Sequence, residues 1–319
     1  MSSNTRNCSS YFDARQRDGE IKGLFFLDWT RRDSEGRRRS DLRFLDLERG
    51  EISDVLSTIP PDVHSFFSVV TCGNHAYAIG GTIRQGMTYH STDHVFRFDF
   101  KHAELGWVKV TSMLYCRGAT EVLALQGKIY VFQGSDVCFG EVYDISGDIW
   151  VPLCAPSIAE FSEISHPVLP DSSRSRILVH FRADRSLYAY YYNDNSWVCL
   201  DPNFHYWSGT VGIVGNVLYV FYEFSEEICY WKAYDVLDKK WLPVKWLTEF
   251  SSHAPVGAPL IHLGNDKWCM VWHSYTLNCF EHVKFRMWNN GHGEIYAVVE
   301  GGHGTSASFR SVDHEILMP

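Results

Sequence analysis

The sequence predicts an all-β fold: a single six-bladed β-propeller of four-stranded blades, closed by a C-terminal strand that joins the N-terminal blade. Three observations lead there. Landmark residues recur at a spacing of roughly 45 residues, the period of a propeller blade. Aromatic residues make up 15% of the 319 residues, strand formers are abundant, and no segment sustains a helical period. The first repeat is one strand short, while a strand-like piece is left over at the C-terminus.

The repeat has two pairs of landmarks. An apolar strand ends in Gly, and an aromatic follows three or four residues later: Gly73 and Tyr77, Gly127 and Tyr130, Gly215 and Tyr219, Gly264 and Trp268. Further on, an aromatic or apolar residue precedes Asp or Asn, and Trp or Ile stands six residues beyond. This second pair reads Leu45-Asp46 to Ile52, Tyr143-Asp144 to Trp150, Tyr234-Asp235 to Trp241 and Trp288-Asn289 to Ile295. Phe98-Asp99 to Trp107 has a longer turn and Tyr192-Asn193 to Trp197 a shorter one. The closing positions 52, 107, 150, 197, 241 and 295 lie 43 to 55 residues apart and define six units.

Each unit reads as four short strands with turn-forming residues between the third and fourth. In the second unit these are Phe66–Cys72, His75–Ile79, His94–Asp99 and Trp107–Thr111. The first unit shows only Lys22–Trp29, Leu42–Asp46 and Glu51–Leu56. Ser306–Leu317 is the piece available to complete it and to cover both open sheet edges. The expected organisation is a flexible tail over residues 1–18 and one propeller over 19–319. The aromatic on each second strand and the Trp opening each fourth strand are expected to fill the space between blades.

The net charge of −9 argues against a general nucleic-acid binder. No apolar run is long enough for a membrane helix, and the N-terminus has no signal-peptide core. A cytoplasmic or nuclear protein is expected. The nine cysteines are scattered without Cys-x-x-Cys; reduced core cysteines are the first reading and a disulfide or zinc framework the second.

The double Gly of Ala78-Ile79-Gly80-Gly81, followed by aromatic-Asp and Trp, resembles the kelch repeat. Elsewhere the paired positions are Gln133-Gly134, Phe181-Arg182, Tyr222-Glu223 and Trp272-His273, so the resemblance is degenerate. It covers nearly the whole chain and is similar in texture to the kelch part of plant F-box/kelch proteins, which are substrate adaptors with a helical F-box ahead of the propeller. Here only about 20 residues precede the first strand, too few for such a module, and Leu56–Val63 reads as a loop. An adaptor acting through its own F-box is not expected. Some kelch relatives are metal-dependent enzymes, but none of their ligands map onto this chain.

A propeller places its site where loops enter the first strands around the central channel. Reading back from each first strand gives His64, Arg117, His166, His205, His253 and His303, a ring expected at one channel mouth. Tyr115, Glu163, Tyr206 and Trp207 would join it. Three readings stay open: solvated loop residues, a site for a polar ligand or partner peptide, and a metal site, for which no paired ligand spacing speaks. The five-arginine stretch Thr30–Arg39 reads as a loop, either solvated or a site for phosphate or an acidic partner.

No Gly-x-Ser-x-Gly, P-loop, His-Glu-x-x-His or dinucleotide motif is present, so neither a catalytic residue nor a cofactor is assigned. The function expected is a binding module that holds a protein or small-molecule ligand on the loop face, with no nucleic-acid or membrane partner. The alternative is a cofactor-free enzyme that isomerises, cyclises or rearranges a small metabolite with His, Tyr and Glu acid–base groups.

Overall fold

The computed structural model describes residues 8–17, 20–32, 38–60, 66–133, 135–156, 163–204, 207, 210–225, 228–250, 257–274, 277, 279–300, 304–305 and 314–317. They form an all-β protein with one short helix. Two compact units divide the chain: Met1–Ala155 with Ser306–Pro319, and Pro156–Thr305.

Among the described residues the first unit holds a five-stranded, two four-stranded and two two-stranded sheets; the second holds a four-stranded sheet and a nine-stranded one made of two antiparallel halves, the fifth and sixth sheets. In the first unit, the first sheet runs His314–Leu317, Gly23–Arg32, Arg38–Asp46, Glu51–Ile52. The C-terminal strand pairs antiparallel with the first long strand, Phe25 opposite Leu317. The strand missing from the N-terminal repeat is therefore supplied by the C-terminus, and Leu317 is buried there. The second sheet is Ser68–Cys72, His75–Ile79, Val95–Asp99, Trp107–Lys109, and the third is Glu121–Leu125, Lys128–Phe132, Gly140–Asp144, Ile149–Leu153.

In the second unit, Leu169–Asp171, Arg176–Phe181, Ser186–Tyr191 and Ser196–Asp201 make the fourth sheet. The fifth is Val211–Val214, Val217–Ser225, Ile228–Asp235, Lys240–Trp246, and the sixth Leu260–Gly264, Lys267–Ser274, Cys279–Asn289, Ile295–Val299. These last two join through their outer strands, which pair in parallel at Val244–Trp246 and Ile295–Ala297. Nothing in the repeat foretells that fusion.

The landmarks have physical roles. Asp46, Asp99, Asp144 and Asp235 each accept backbone N–H groups two and three residues ahead, closing the turn between the third and fourth strands. Side-chain oxygens in such turns replace a backbone acceptor. Across this turn the aromatic and Trp stand directly opposite: Tyr143 and Trp150 stack at 4.8 Å, and Tyr234 and Trp241 lie 5.0 Å apart. In the fourth sheet Trp197 faces Tyr190. The landmark placed at Tyr192-Asn193 is thus two residues too late, because the Asn after Tyr192 imitates the turn residue of the other repeats.

Packing between neighbouring sheets uses the expected positions. Tyr77, Ile79, Ile129, Val131, Tyr143 and Trp150 form one core between the second and third sheets, and the Trp150 indole donates to the Thr111 carbonyl at 3.0 Å. Trp150 is buried, whereas Trp197 and Trp241 are half-buried.

The expected tail is corrected for residues 8–17. Cys8–Ala14 is a helix whose Phe12 is buried and stacked on Phe100 at 5.1 Å, while Tyr11 meets Phe44 at 5.0 Å. Two aromatic side chains anchor a segment too short to show a helical period. The arginine-rich stretch is also corrected: it is strand through Arg32 and again from Arg38.

Candidate loop-end site of the first unit

The double Gly begins the site. Gly80 has φ of +67°, and a Cβ there would stand 2.5 Å from the Arg117 carbonyl oxygen, so only glycine lets that segment lie across the strand end. The Gly81 N–H donates to the Arg117 carbonyl, the Arg117 N–H to the Thr92 carbonyl, and the Thr92 hydroxyl to the Gly80 carbonyl. From this base rises a hairpin, Thr82–Gln85 paired with Thr88–Ser91.

The Arg117 side chain then crosses to the third sheet. Its Nε donates to Glu141 Oε1 at 2.8 Å, and its Nη1 donates to the carbonyls of Gln133 and Cys138 at 2.6 and 2.9 Å. Glu141 Oε2 accepts the Leu114 N–H at 2.7 Å. Both charged side chains are fully buried. Arg117 thus joins three connections: its backbone holds the base of the hairpin at 82–91, and its guanidinium ties its own loop at 113–118 to the loop after Phe132. Charge-assisted bonds in a desolvated setting hold such loops firmly.

These loops present large apolar side chains to water. Met87 is 94% exposed, Tyr89 61%, Leu114 54% and Val137 78%. Phe66, at the entrance to the second sheet, is 63% exposed and has φ of +63°, a costly backbone region for a bulky residue. Its neighbour Ser68 donates to the Thr120 carbonyl at 2.6 Å, which draws this entrance to that of the third sheet. These exposed side chains stand on connections that meet at Arg117.

The residues singled out in the sequence fare differently. Tyr115 lies half-buried in the 113–118 loop. Arg117, a member of the expected ring, is fully buried and paired with Glu141. Glu163, His166 and Trp207 belong to the second unit. There Glu163 is exposed, 3.7 Å from Arg182, His166 is exposed, and the Trp207 indole is buried and donates to the Pro167 carbonyl at 3.1 Å. His64, His205, Tyr206, His253 and His303 lie outside the described residues. Of the six ring members, the structure describes Arg117 and His166, one in each unit.

Sequence reasoning missed Ser165 and His180. The Ser165 hydroxyl lies 2.8 Å from His180 Nδ1, and both side chains are buried. The His180 ring stacks on Trp207 at 5.9 Å with the planes 7° apart, and Phe204 meets its edge. Burial pushes the imidazole down to about 4, so it is neutral at physiological pH. With so little solvent access at either group, the pair acts as a strut between the 163–165 segment and the second strand of the fourth sheet. Among the described residues no three His, Cys, Asp or Glu side chains gather as a metal site, and no helix is long and apolar enough to cross a membrane.

The described residues form an all-β protein. No family model matches the chain. Over 169 residues it is 28% identical to an Arabidopsis thaliana protein named as an F-box/kelch-repeat protein, covering 49% of this chain and 41% of the relative. The relationship is kelch-like; this chain spans about two fifths of the relative's length, and no F-box is shown.

Proposed function

We infer that this chain is a kelch-type protein-interaction module that binds its partner through the loop end of the first unit. The observation that carries this is the set of exposed Met87, Tyr89, Leu114 and Val137 on connections joined through the backbone and the buried side chain of Arg117. A rigid base lowers the ordering cost of binding, and large apolar tips supply the contact area. Six successive antiparallel groups of strands, two of them fused into one sheet, and the C-terminal strand in the first of them support a six-bladed propeller as the scaffold.

The test is selection of a displayed library of short random peptides on the purified protein. Selected peptides should lose binding to a Met87→Asp, Tyr89→Asp variant and keep it for Leu105→Asp, an exposed apolar residue in the turn between the third and fourth strands of the second sheet. Equal binding to all three proteins would overturn the reading.

A further inference from the structure

We propose that the helix Cys8–Ala14 is a strap that holds the C-terminal strand in the first sheet, so that releasing the helix frees that strand before the rest of the unit unfolds. The device lies at the seam between the first and second sheets and is independent of the interaction-module reading.

The argument begins with the strand. His314–Leu317 is four residues long, stands at one end of its sheet and pairs with Phe25–Asp28. A short ladder at a sheet edge belongs to the parts of a protein that open first. The helix adds contacts to it. Phe12 and Leu317 are both buried in one apolar core with Phe25, Phe44 and Phe100. Phe12 stacks on Phe100 at 5.1 Å, and Phe100 meets Phe25 at 4.3 Å. Phe25 is the residue directly opposite Leu317. Phe12, Arg15, Phe25, Thr71, Phe100 and Leu317 also line one depression.

The helix is tied to both sheets of the seam. Tyr11 meets Phe44 of the first sheet at 5.0 Å. The Arg15 carbonyl accepts the N–H groups of Lys22 and Gly23 at 2.7 and 3.2 Å, which fixes the helix end to the start of Gly23–Arg32. The Arg15 guanidinium covers the Phe12 ring, 3.7 Å from its centre. Towards the second sheet, Asp13 Oδ1 lies 3.5 Å from Lys101 Nζ, beside Phe100. An exposed pair of this kind contributes little to stability, but it favours one seat for the helix.

The helix has seven residues, far fewer than an isolated helix needs in water. It is therefore helical because Tyr11 and Phe12 are docked, and it leaves as a unit when they are not. Docked helix and paired strand share Phe25 and Phe100, so each loses packing when the other departs. Groups that share partners in this way are energetically coupled. The sharing makes the helix a strap over the strand rather than an ornament beside it.

Amide hydrogen exchange read by mass spectrometry tests this. In Phe12→Ala, exchange at 314–317 and 25–28 should rise at least about tenfold more than exchange at Lys128–Phe132 in the third sheet. Trp150→Ala, a buried change between the second and third sheets, controls for general loss of stability and should show no such preference for 314–317. Asp13→Lys sets like charge against Lys101 and leaves the core intact; it should raise exchange at 314–317 about threefold. Adding Lys101→Asp should restore the wild-type rate. A Phe12→Ala protein that exchanges equally faster in all three segments, or that keeps 314–317 protected, overturns the strap. So does an Asp13→Lys protein whose exchange at 314–317 is unchanged or is not restored by Lys101→Asp.

Discussion

Arg117 and Glu141 form an ion pair of 2.8 Å in which both side chains are fully buried. Arg117 stands between the second and third sheets in sequence, and Glu141 lies on the third strand of the third sheet. Removing either partner leaves a charge buried without its counterion, which typically costs about 3–5 kcal/mol. Arg117→Met should therefore lower unfolding stability in urea by about that amount. The double variant Arg117→Met, Glu141→Leu should recover much of it, since no lone charge remains. A single variant as stable as the parent would show that the pair is not what holds the loops.

Phe12 tests the N-terminal helix. A buried aromatic truncated to alanine costs about 3–5 kcal/mol, whereas a residue in a solvated tail costs less than about 0.5 kcal/mol. Phe12→Ala should fall in the first range by thermal or urea unfolding, because the ring is buried against Phe100.

Trp150 and Trp197 occupy equivalent repeat positions but differ in burial. Trp150→Ala should cost about 3–5 kcal/mol, and Trp197→Ala at least about 1 kcal/mol less, in proportion to the smaller area it hides. Equal losses would mean that the two sites are equally packed.

His180 makes a pH prediction. Its folded value, about 4, lies below the ordinary 6.5 because burial disfavours the charged ring. Above pH 6.5 both folded and unfolded states hold it neutral, and its contribution is intact. Below pH 6.5 the unfolded chain takes up a proton that the folded protein refuses. Stability should then fall by up to about 1.4 kcal/mol per pH unit from this group alone, until the pH nears the folded value. His180→Gln removes that component, so the difference in unfolding free energy between pH 7 and pH 5 should be smaller in the variant. An unchanged difference would exclude His180 as the source.

The C-terminal strand closes the first sheet by pairing with Phe25–Asp28. Deleting residues 306–319 should expose that strand's edge and cause aggregation, measured by light scattering. A truncated protein that stays monodisperse with an unchanged Tm would count against the strand's role.

Local chemistry made much of this fold readable from the chain itself. Asp46, Asp99, Asp144 and Asp235 announce turns because their side chains bond to the next backbone groups. Apolar and aromatic residues between these turns mark the strands, and the incomplete first repeat points to the C-terminal strand. Those signals depend on neighbours a few residues apart or on a count of repeats. The aromatic partner of Trp197 was misplaced because Tyr192 is the tyrosine that precedes Asn, whereas strand register sets Tyr190 opposite Trp197.

The site depended on contacts that no local pattern carries. Arg117 could be found in the sequence, but its role could not, because its burial depends on Glu141 and on carbonyls at Gln133 and Cys138. Ser165 and His180 were missed because neither has a distinctive neighbour in sequence; they meet only when the 163–165 segment lies along the second strand of the fourth sheet. The sequence alone determined strands, turns and the repeat, which follow from short-range propensity and hydrogen bonding. Tertiary structure decided which polar groups are buried and which apolar tips stay in water, because burial depends on the surfaces that distant segments bring against each residue.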